Sequence, residues 1–445
     1  MGSPATAAII AAVLCITAIP AIPARSQANP SPSATIESAA VRVDSTVDLP
    51  TAVSRALAAS PVVATGEAGV RTALSAGRVA NGAYLPTLTA TSSALRSDMS
   101  TTSSLGTSGA TSYSAGLASG LELFTGGRRG ADQARARADL QYAEATDVAQ
   151  RYQVTLAAER AYFEALRGGE LMTVADARVA RAERGMRYAQ DRVRAGTATK
   201  SDELRARLEL TTARQQAVAS RDTLQTAAYV LGRLVGADGP VGARVPGSLD
   251  PRPLALTDSA IVLLATQAAP AVQAADASMR ATDAATRSAR SLYAPDIKLL
   301  GGYNFANQSQ VIGATRAGWQ VELGTSFPLF NGFQREDAVA RSDAAAEVSR
   351  VTARDATRLV RTEASRLLGA LRFSEQGIGL AGEAVSAARE DLRVQTERYR
   401  AGIATSLDRL TSEFAVTQAE LSLVAARYNY QVTRATLEAL VGRTL

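Results

Sequence analysis

A short motif occurs twice in the chain, and its repetition limits the possible folds more than any other feature of the sequence. Residues 192–204 read RVRAGTATKSDEL and residues 398–410 read RYRAGIATSLDRL, which places Gly196 and Gly402 at a separation of 206 residues. In each copy a glycine, which can adopt positive φ, follows one long helical pattern. An Asp or Ser near the start of the next pattern is a candidate N-cap. Each copy therefore predicts the tip of a helical hairpin.

Shorter matches flank the tips on both sides. Three pairs of segments correspond between the two copies: LFTG at 123–126 with LFNG at 329–332, LVG at 234–236 with LVG at 440–442 and, at a separation of 209 residues, YLP at 84–86 with YAP at 293–295. The separation changes between Pro86 and Phe124, in a surface hairpin where differences in loop length cost little free energy. A tandem repeat of this length predicts one folding unit that is used twice.

The two tips, the two Tyr-x-Pro strand starts and the two Leu-Phe-x-Gly strand ends together resemble the TolC family of outer-membrane efflux proteins. The resemblance covers nearly all of the chain after residue 28. It implies a passive exit duct of a tripartite efflux or type I secretion system, which works with a periplasmic adaptor (membrane fusion) protein and an inner-membrane transporter. Such a duct catalyses no reaction and needs no cofactor. The cargo and the transporter class stay open.

The N-terminus predicts a secretory signal peptide over residues 1–28. Residues 5–22 are apolar and interrupted by proline, and SQA at 26–28 supplies the small residues that a signal peptidase needs. Cys15 leaves acylation as an alternative, although Leu14 is bulky at a position where a lipobox has a small residue. No later stretch has about 18 consecutive apolar residues, so we expect no membrane-spanning helix in the mature chain.

The repeats divide the mature chain into four parts. We expect a flexible leader over 29–47, a first repeat over 48–236, a linker rich in Gly and Pro over 237–253, and a second repeat over 254–445. The first repeat should contain two helices, strands at about 86–98 and 111–124, a long helix over 127–195, a tip over 196–202 and a return helix over 203–236. The second repeat should contain strands at about 295–306 and 316–330, a long helix over 333–401, a tip over 402–408 and a return helix over 409–442.

The strands carry the strongest indication of location, because apolar and polar side chains alternate along them. In the last strand the apolar set is Trp319, Val321, Leu323 and Phe327, and the polar set between them is Gln320, Glu322 and Ser326. Each strand reaches the roughly 9 to 11 residues that a tilted strand needs to cross a bilayer. Four strands cannot close a barrel and lipid tolerates no open edge, so a homotrimer with twelve strands is expected. The apolar set would then face outer-membrane lipid.

The helical patterns are long enough to cross the periplasm. Residues 128–195 contain no proline, which allows one helix of about 100 Å, with Gly168 and Gly169 as its softest point. In the second copy a stripe repeats every seven residues, which is typical of a coiled coil: Leu371, Ile378, Val385, Leu392 and Tyr399. The predicted fold is therefore mainly α-helical with a β-barrel part, in which long hairpins form a periplasmic α-barrel that continues a trimeric 12-stranded β-barrel.

Composition argues against other classes of protein. The net charge of +6 comes almost entirely from Arg, which alternates with Asp and Glu along the helices, so solvated helix faces are expected rather than a nucleic-acid site. The chain has no His, and its one Cys lies in the predicted signal peptide. The usual zinc-ligand sets and the usual pairs of nucleophile and base are therefore missing. We expect neither an enzyme nor a metal protein.

The resemblance implies a periplasmic gate at the tips, held closed by polar links between the two hairpins. By position, Tyr399 and Asp202 correspond to one linked pair, and Asp408 corresponds to an acidic ring that lines the constriction. Ala404 and Thr411 depart from the pattern, because the best-known relatives have Arg and Asp there. From the residues alone, Asp202 and Asp408 are helix N-caps. Contact with the adaptor is expected at Arg194, Gly196, Thr197, Arg400, Gly402 and Ile403.

One alternative of a different class is a periplasmic coiled-coil scaffold or adaptor without a membrane barrel. The two pairs of amphipathic strands favour the duct. Adaptors of efflux systems also need a lipoyl-like domain and a barrel domain of many short strands, and this chain is dominated by helical patterns. The resting state of the gate, open or closed, is not decided by the sequence.

Overall fold

The structure of the protein is a computed structural model that describes residues 46–97, 110–245, 249, 251–307 and 315–445. The predicted signal peptide, Cys15 and most of the predicted leader lie outside the described residues. The helices are α1 (Leu49–Ala59), α2 (Pro61–Gly82), α3 (Arg128–Arg194), α4 (Lys200–Leu234), α5 (Asp258–Ala268), α6 (Pro270–Arg290), α7 (Gln334–Arg400) and α8 (Ser406–Val441). The strands are β1 (Thr46–Val47), β2 (Thr87–Ser97), β3 (Ala110–Phe124), β4 (Gly242–Ala243), β5 (Asp296–Asn307) and β6 (Thr315–Ser326).

The order of elements repeats along the chain. Each half has two shorter helices, two strands, one helix of 67 residues and a return helix. This agrees with the predicted fold class, a mainly helical chain with a β part. Three boundaries differ from those expected by three residues or more. β6 ends at Ser326 because Pro328 has no N–H to donate to a strand partner, and the return helices begin at Lys200 and Ser406, so both tips are shorter.

The expected leader and linker also contain structure. Thr46–Val47 at the end of the leader pairs in parallel with Gly242–Ala243 inside the linker. The Tyr162 hydroxyl of α3 donates a hydrogen bond to the carbonyl oxygen of Arg244, just after that pair. The segment between the repeats is therefore fixed onto α3 and is more than a connector.

The second sheet has four antiparallel strands in the order β2-β3-β5-β6, with β2 and β6 at its edges. Trp319 lies opposite Tyr303, and Leu323 lies opposite Leu299, so these apolar side chains share one face. On the other face, Glu122 of β3 is 3.4 Å from Lys298 of β5 and 2.8 Å from Arg128 at the start of α3. The register therefore separates an apolar face from a polar face.

The two hairpins are packed in different ways. In the first, small buried residues recur every seven positions on both helices: Ala175, Ala182 and Ala189 on α3, and Ala206, Ala213, Ser220 and Ala227 on α4. Small side chains let the two helix backbones approach closely. In the second hairpin, three members of the predicted stripe are fully buried, Leu371, Val385 and Tyr399, while Ile378 and Leu392 are half-buried.

Two apolar clusters hold the shorter helices to the long ones. The first lies around Tyr162, Leu231 and Val241, where α1 and the β1–β4 pair meet α3 and α4. The second lies around Ile261 of α5, Leu367 of α7 and Leu437 of α8. Complete burial of such side chains contributes about 1.5 to 3 kcal/mol each. The clusters therefore fix the hairpins to each other far from their tips.

One helical stretch of the described residues, Asp258–Tyr293, is long and apolar enough to be considered as a membrane span. It is not one straight helix, because Ala269 has an extended ψ of 134° that separates α5 from α6. The 11 residues of α5 span about 16 Å, roughly half of a bilayer core. α5 packs against α7, and α6 packs against α3 and α7. Both helices therefore belong to the helical packing.

Adjacent glycines in α3 should respond differently to replacement by alanine. The helix runs through both without a break, but a Cβ at Gly168 would lie 3.1 Å from the Leu224 Cα atom of α4, whereas Gly169 has open space. Gly169→Ala should stabilise the protein by about 0.5 to 1 kcal/mol through helix propensity. Gly168→Ala should stabilise the protein less than Gly169→Ala, or destabilise it. Thermal unfolding followed by circular dichroism would measure both, and equal gains would contradict the close approach.

Candidate functional site: the tips of the two hairpins

Each tip turns through a glycine in the left-handed conformation. Gly196 has a φ of 74° and Gly402 has a φ of 79°. Glycine adopts these values without the steric cost that a Cβ would bring. The N–H groups of Thr197 and Ile403 then donate to the carbonyl oxygens of Arg192 and Arg398, at 2.8 Å in both tips. The two copies of the motif therefore form the same turn.

A capping box starts each return helix. Thr199 and Thr405 are the N-caps, and their hydroxyl groups accept hydrogen bonds from the N–H groups of Asp202 and Asp408. The carboxylates in return accept from the N–H groups of Thr199 at 3.0 Å and Thr405 at 2.9 Å. The sequence suggested Asp or Ser as the N-cap. The structure assigns the cap to Thr, with Asp at the third helical position.

A hydrogen bond between side chains links the two tips. Ser406 Oγ donates to Asp202 Oδ1 at 2.5 Å. This bond is the largest cause that lowers the pKa of Asp202 below its ordinary value, and hydrogen bonds from Thr199 follow. The carboxylate is therefore ionised at neutral pH. Because its folded pKa is lowered, its stabilising contribution is complete above the unfolded pKa and is lost as the pH falls through the folded value.

Tyr399 is buried where the two hairpins of one chain meet. We call this contact surface the hairpin seam, where α3 of the first hairpin meets α8 and the end of α7. Tyr399 is 3% exposed. The Arg192 guanidinium lies 4.7 Å from the ring centroid, and its Nη1 donates to the Tyr399 carbonyl oxygen at 2.9 Å. The Arg409 guanidinium lies 5.7 Å from the same ring. Both distances are in the range of cation–π contacts.

The hydrogen bond expected between Tyr399 and Asp202 is not formed within the described residues of the chain. Asp202 accepts from Thr199 and Ser406 instead. Tyr399 is held through its ring and its carbonyl oxygen by Arg192. Both residues contribute to the contact between the hairpins, but each has its own partner.

A second arginine and tyrosine pair crosses the seam beside the first. The Arg400 guanidinium lies 4.7 Å from the Tyr188 ring centroid, and its Nη2 donates to the Tyr188 hydroxyl. Sequence reasoning missed Tyr188, Arg192 and Ser406 as links. A comparison of the two copies offers a signal, since Tyr188 and Tyr399 each stand where the other copy has valine.

Asp408, the third residue of the predicted gate, and the two positions that depart from the family pattern form no side-chain link across the seam in the described part of the chain. Asp408 is exposed and engaged in its own capping box. The Thr411 hydroxyl donates to the Leu407 carbonyl oxygen of its own helix at 2.9 Å. Ala404 is buried, so this position has no room for a longer side chain without rearrangement.

The residues predicted to meet an adaptor lie at the surface of the tips. All six are exposed, namely Arg194, Gly196, Thr197, Arg400, Gly402 and Ile403. Ile403 is an apolar side chain at the very end of the second tip, with 71% of its surface exposed. The tips therefore present backbone, arginine and one large apolar group to any partner.

The predicted lipid-facing residues are also exposed in a single chain. Trp319, Val321 and Leu323 lie on one face of β6, and Phe327 follows the end of the strand. Trp319 is 78% exposed, which is unusual for so large an apolar side chain in water. Among the described residues, no group of three or more His, Cys, Asp or Glu side chains is arranged to hold a metal ion.

Solved structures of outer-membrane proteins resemble the chain over 89 to 94% of its length. VceC of Vibrio cholerae is 18% identical over 89% of this chain and 96% of its own, with a TM-score of 0.76. CmeC of Campylobacter jejuni is 14% identical over 94% of both chains, with a TM-score of 0.78. The open state of MtrE of Neisseria gonorrhoeae is 20% identical over 89% of both chains, with a TM-score of 0.74. At such identities the likeness shows a shared fold.

No curated protein sequence matches the chain. The sequence pattern of the outer membrane efflux protein family matches residues 52–237 and 262–443, one segment in each repeat. The matched segments contain both tips and all four strands of the larger sheet. The chain therefore belongs to the outer membrane efflux protein family.

Proposed function

We propose that three copies of this chain close into one outer-membrane barrel, continued by a helical tunnel through the periplasm that serves as a passive exit duct. Membership of the family makes the chain an outer-membrane efflux channel. The trimer is supported by the four-stranded sheet, whose edges at β2 and β6 are free. Unpaired backbone N–H and C=O groups at such edges cannot be satisfied by lipid. Three sheets joined edge to edge give twelve strands and no edge.

The two faces of the sheet support the same arrangement. Trp319, Val321 and Leu323 would contact lipid, while the Glu122–Lys298 ion pair would lie in the water-filled lumen. A scaffold without a barrel would leave the apolar face exposed to water. The sheet therefore favours the duct over a scaffold or adaptor.

The tips are the proposed site of gating and of docking to a periplasmic adaptor, which in turn connects to an inner-membrane transporter. Three contacts that link the hairpins support a closed tip: Ser406 with Asp202, Arg192 with Tyr399, and Arg400 with Tyr188. The exposed turns at Gly196 and Gly402, with Ile403 beside them, form the docking surface. In the trimer the three Asp408 carboxylates would surround the opening. MtrE, which has this fold, has been solved in an open state, so the fold can exist in an open form.

The proposed orientation of the sheet predicts different responses to arginine at two neighbouring positions of β6. Val321 and Gln320 lie at the same depth on opposite faces. Val321→Arg, placed towards lipid near the bilayer midplane, should cost roughly 2 to 4 kcal/mol. Gln320→Arg, placed towards the lumen, should be tolerated. Urea titration of barrel unfolding in lipid vesicles would compare the two variants, and equal losses would contradict the orientation.

The proposed gate predicts that the aromatic ring of Tyr399, and not its hydroxyl, keeps the tip closed. Tyr399→Phe keeps a ring for the contact with Arg192, which is worth about 0.5 to 2 kcal/mol, and should leave the conductance unchanged. Tyr399→Leu should raise it. Ser406→Ala should also raise it, because a hydrogen bond to a charged group contributes about 1.5 to 3 kcal/mol.

Single-channel conductance of the purified protein in planar bilayers measures these effects. Thr411→Ala is the matched control, since among the described residues its hydroxyl donates within its own helix. The double variant of Ser406→Ala with Asp202→Ala should exceed Asp202→Ala only slightly, because Asp202→Ala already removes the bond between the tips together with the capping box. A conductance in Tyr399→Phe as high as that in Tyr399→Leu would contradict the assignment.

A further inference from the structure

A cavity of about 260 Å³ lies in the hairpin seam, between the tips and the apolar cluster around Tyr162. Its walls are formed by α3, α7 and α8. Six of the lining side chains are arginines, and they come from all three helices: Arg181, Arg184, Arg389, Arg393, Arg400 and Arg409. The acidic side chains of the lining are Glu397 and Glu413. The space is therefore strongly basic, and we call it the arginine cavity.

Ion pairs compensate only part of this positive charge. Four glutamates pair with five of the six arginines: Glu413 with Arg409, Glu397 with Arg400, Glu390 with Arg393, and Glu420 with both Arg181 and Arg389. Arg184 is exposed and forms no ion pair among the described residues. Six guanidinium groups around the cavity thus meet four carboxylates. A cleft with an excess of one sign of charge attracts ions of the opposite sign, so this cavity should attract anions.

Arg409 is held at the inner wall of the cavity. It is 4% exposed, and its Nη1 donates to Glu413 Oε1. The guanidinium lies against α3 at Gly185, where an added Cβ would come within 2.5 Å of Nη2. The Nε atoms of Arg409 and Arg181 are buried and have no hydrogen-bond partner in the part of the chain that the structure describes. Because a buried donor without an acceptor is destabilising, the two guanidinium groups are left short of acceptors.

Formation of a hairpin does not require arginine at these positions. Residues 206 positions apart correspond in the two copies of the repeat, and four arginines of the cavity then have a counterpart of different charge: Arg181 corresponds to Ala387, Arg184 to Glu390, Arg389 to Glu183 and Arg409 to Glu203. The first hairpin forms the same turn and the same capping box with glutamate in place of Arg389 and Arg409. The excess of arginine is therefore a separate property of this seam.

The arrangement of the arginines favours a phosphate group over a carboxylate. A guanidinium is a planar fork of N–H donors that matches the oxygens of either group. A carboxylate offers its two oxygens in one plane, whereas a phosphate offers oxygens in several directions and can accept from α3, α7 and α8 at once. A water molecule takes about 30 Å³ in the liquid. The cavity of about 260 Å³ therefore has room for a phosphate with several of its hydration waters.

We propose that the arginine cavity binds a phosphate-type oxyanion, either inorganic phosphate or the phosphate group of a small monoester. Arg184 would contact the oxygens directly, together with the exposed guanidinium groups of Arg389 and Arg393. Arg181 and Arg409 are more deeply buried and would attract the anion from the inner wall. The site lies within one chain, so it depends neither on closure of the barrel nor on the state of the tips.

Two exposed arginines of α3 provide a matched pair of variants. Arg184 belongs to the lining of the cavity, whereas Arg187, three positions further along the helix, lies outside it. Because both side chains are exposed, neither substitution by alanine should disturb the fold. Isothermal titration calorimetry of the purified protein in detergent would measure the binding of inorganic phosphate, with the ionic strength kept constant by sodium chloride.

The wild type and Arg187→Ala should bind phosphate with the same Kd. Arg184→Ala should raise the Kd about tenfold or more, because it removes a hydrogen bond between charged groups. If Arg184→Ala leaves the Kd unchanged, the cavity is not the site. If both variants raise it equally, the effect comes from net charge alone. Either result would overturn the inference.

Thermal unfolding tests the class of anion. A ligand that binds only the folded state raises the melting temperature as its concentration increases. At equal ionic strength, phosphate should raise the melting temperature of the wild type more than acetate or chloride does. The double variant Arg184→Ala with Arg389→Gln, which keeps Glu420 paired with Arg181, should lose this difference. Equal shifts with the three anions in the wild type would overturn the assignment to phosphate.

The same measurement separates the two sources of the phosphate group. A larger shift with glycerol phosphate than with inorganic phosphate would support a monoester as the ligand, and the reverse order would support free phosphate. A shift with neither of them would overturn the inference.

Discussion

The fold depends on one constraint, that a backbone group removed from water must find a partner. In the four-stranded sheet, the inner strands β3 and β5 have a hydrogen-bonded neighbour on both sides, whereas β2 and β6 each have one free edge. The same sheet exposes Trp319 and its apolar neighbours on one side. In water, exposure of the apolar face is unfavourable. In lipid, the unpaired backbone groups at the free edges are unfavourable. Only closure with further copies of the chain, with the apolar face outward, removes both costs.

The packing of the long helices depends on how closely their backbones approach each other. Small residues every seven positions bring α3 and α4 together along the first hairpin. The second hairpin meets α3 through apolar side chains far from the tip, and nearer the tip Arg409 packs against Gly185 and Glu420 pairs with Arg181.

Much of this could be predicted from the sequence, because it depends on local patterns. Alternation predicted the strands and their apolar and polar faces, and the repeated motif with its glycine predicted the tips, although the N-caps are Thr199 and Thr405 rather than Asp or Ser. The contacts across the seam could not be predicted, since Ser406 meets Asp202 only through the docking of two distant tips. β1 and β4 have two residues each, too few for a period. Phe333 adopts a φ of 64° where the first repeat has Gly127, a conformation that sequence rules assign to glycine.

The most direct test of the account is cross-linking between the free edges of the sheet. The chain has one cysteine, in the predicted signal peptide, so single cysteines can be placed on β2 at Ala90 and scanned along β6 from Gly318 to Thr325. The account predicts that oxidation in membranes gives a ladder that ends at the covalent trimer, with cross-linking strongest at alternate positions of β6. A ladder that stops at the dimer, or continues beyond the trimer, would contradict the closed barrel of three chains.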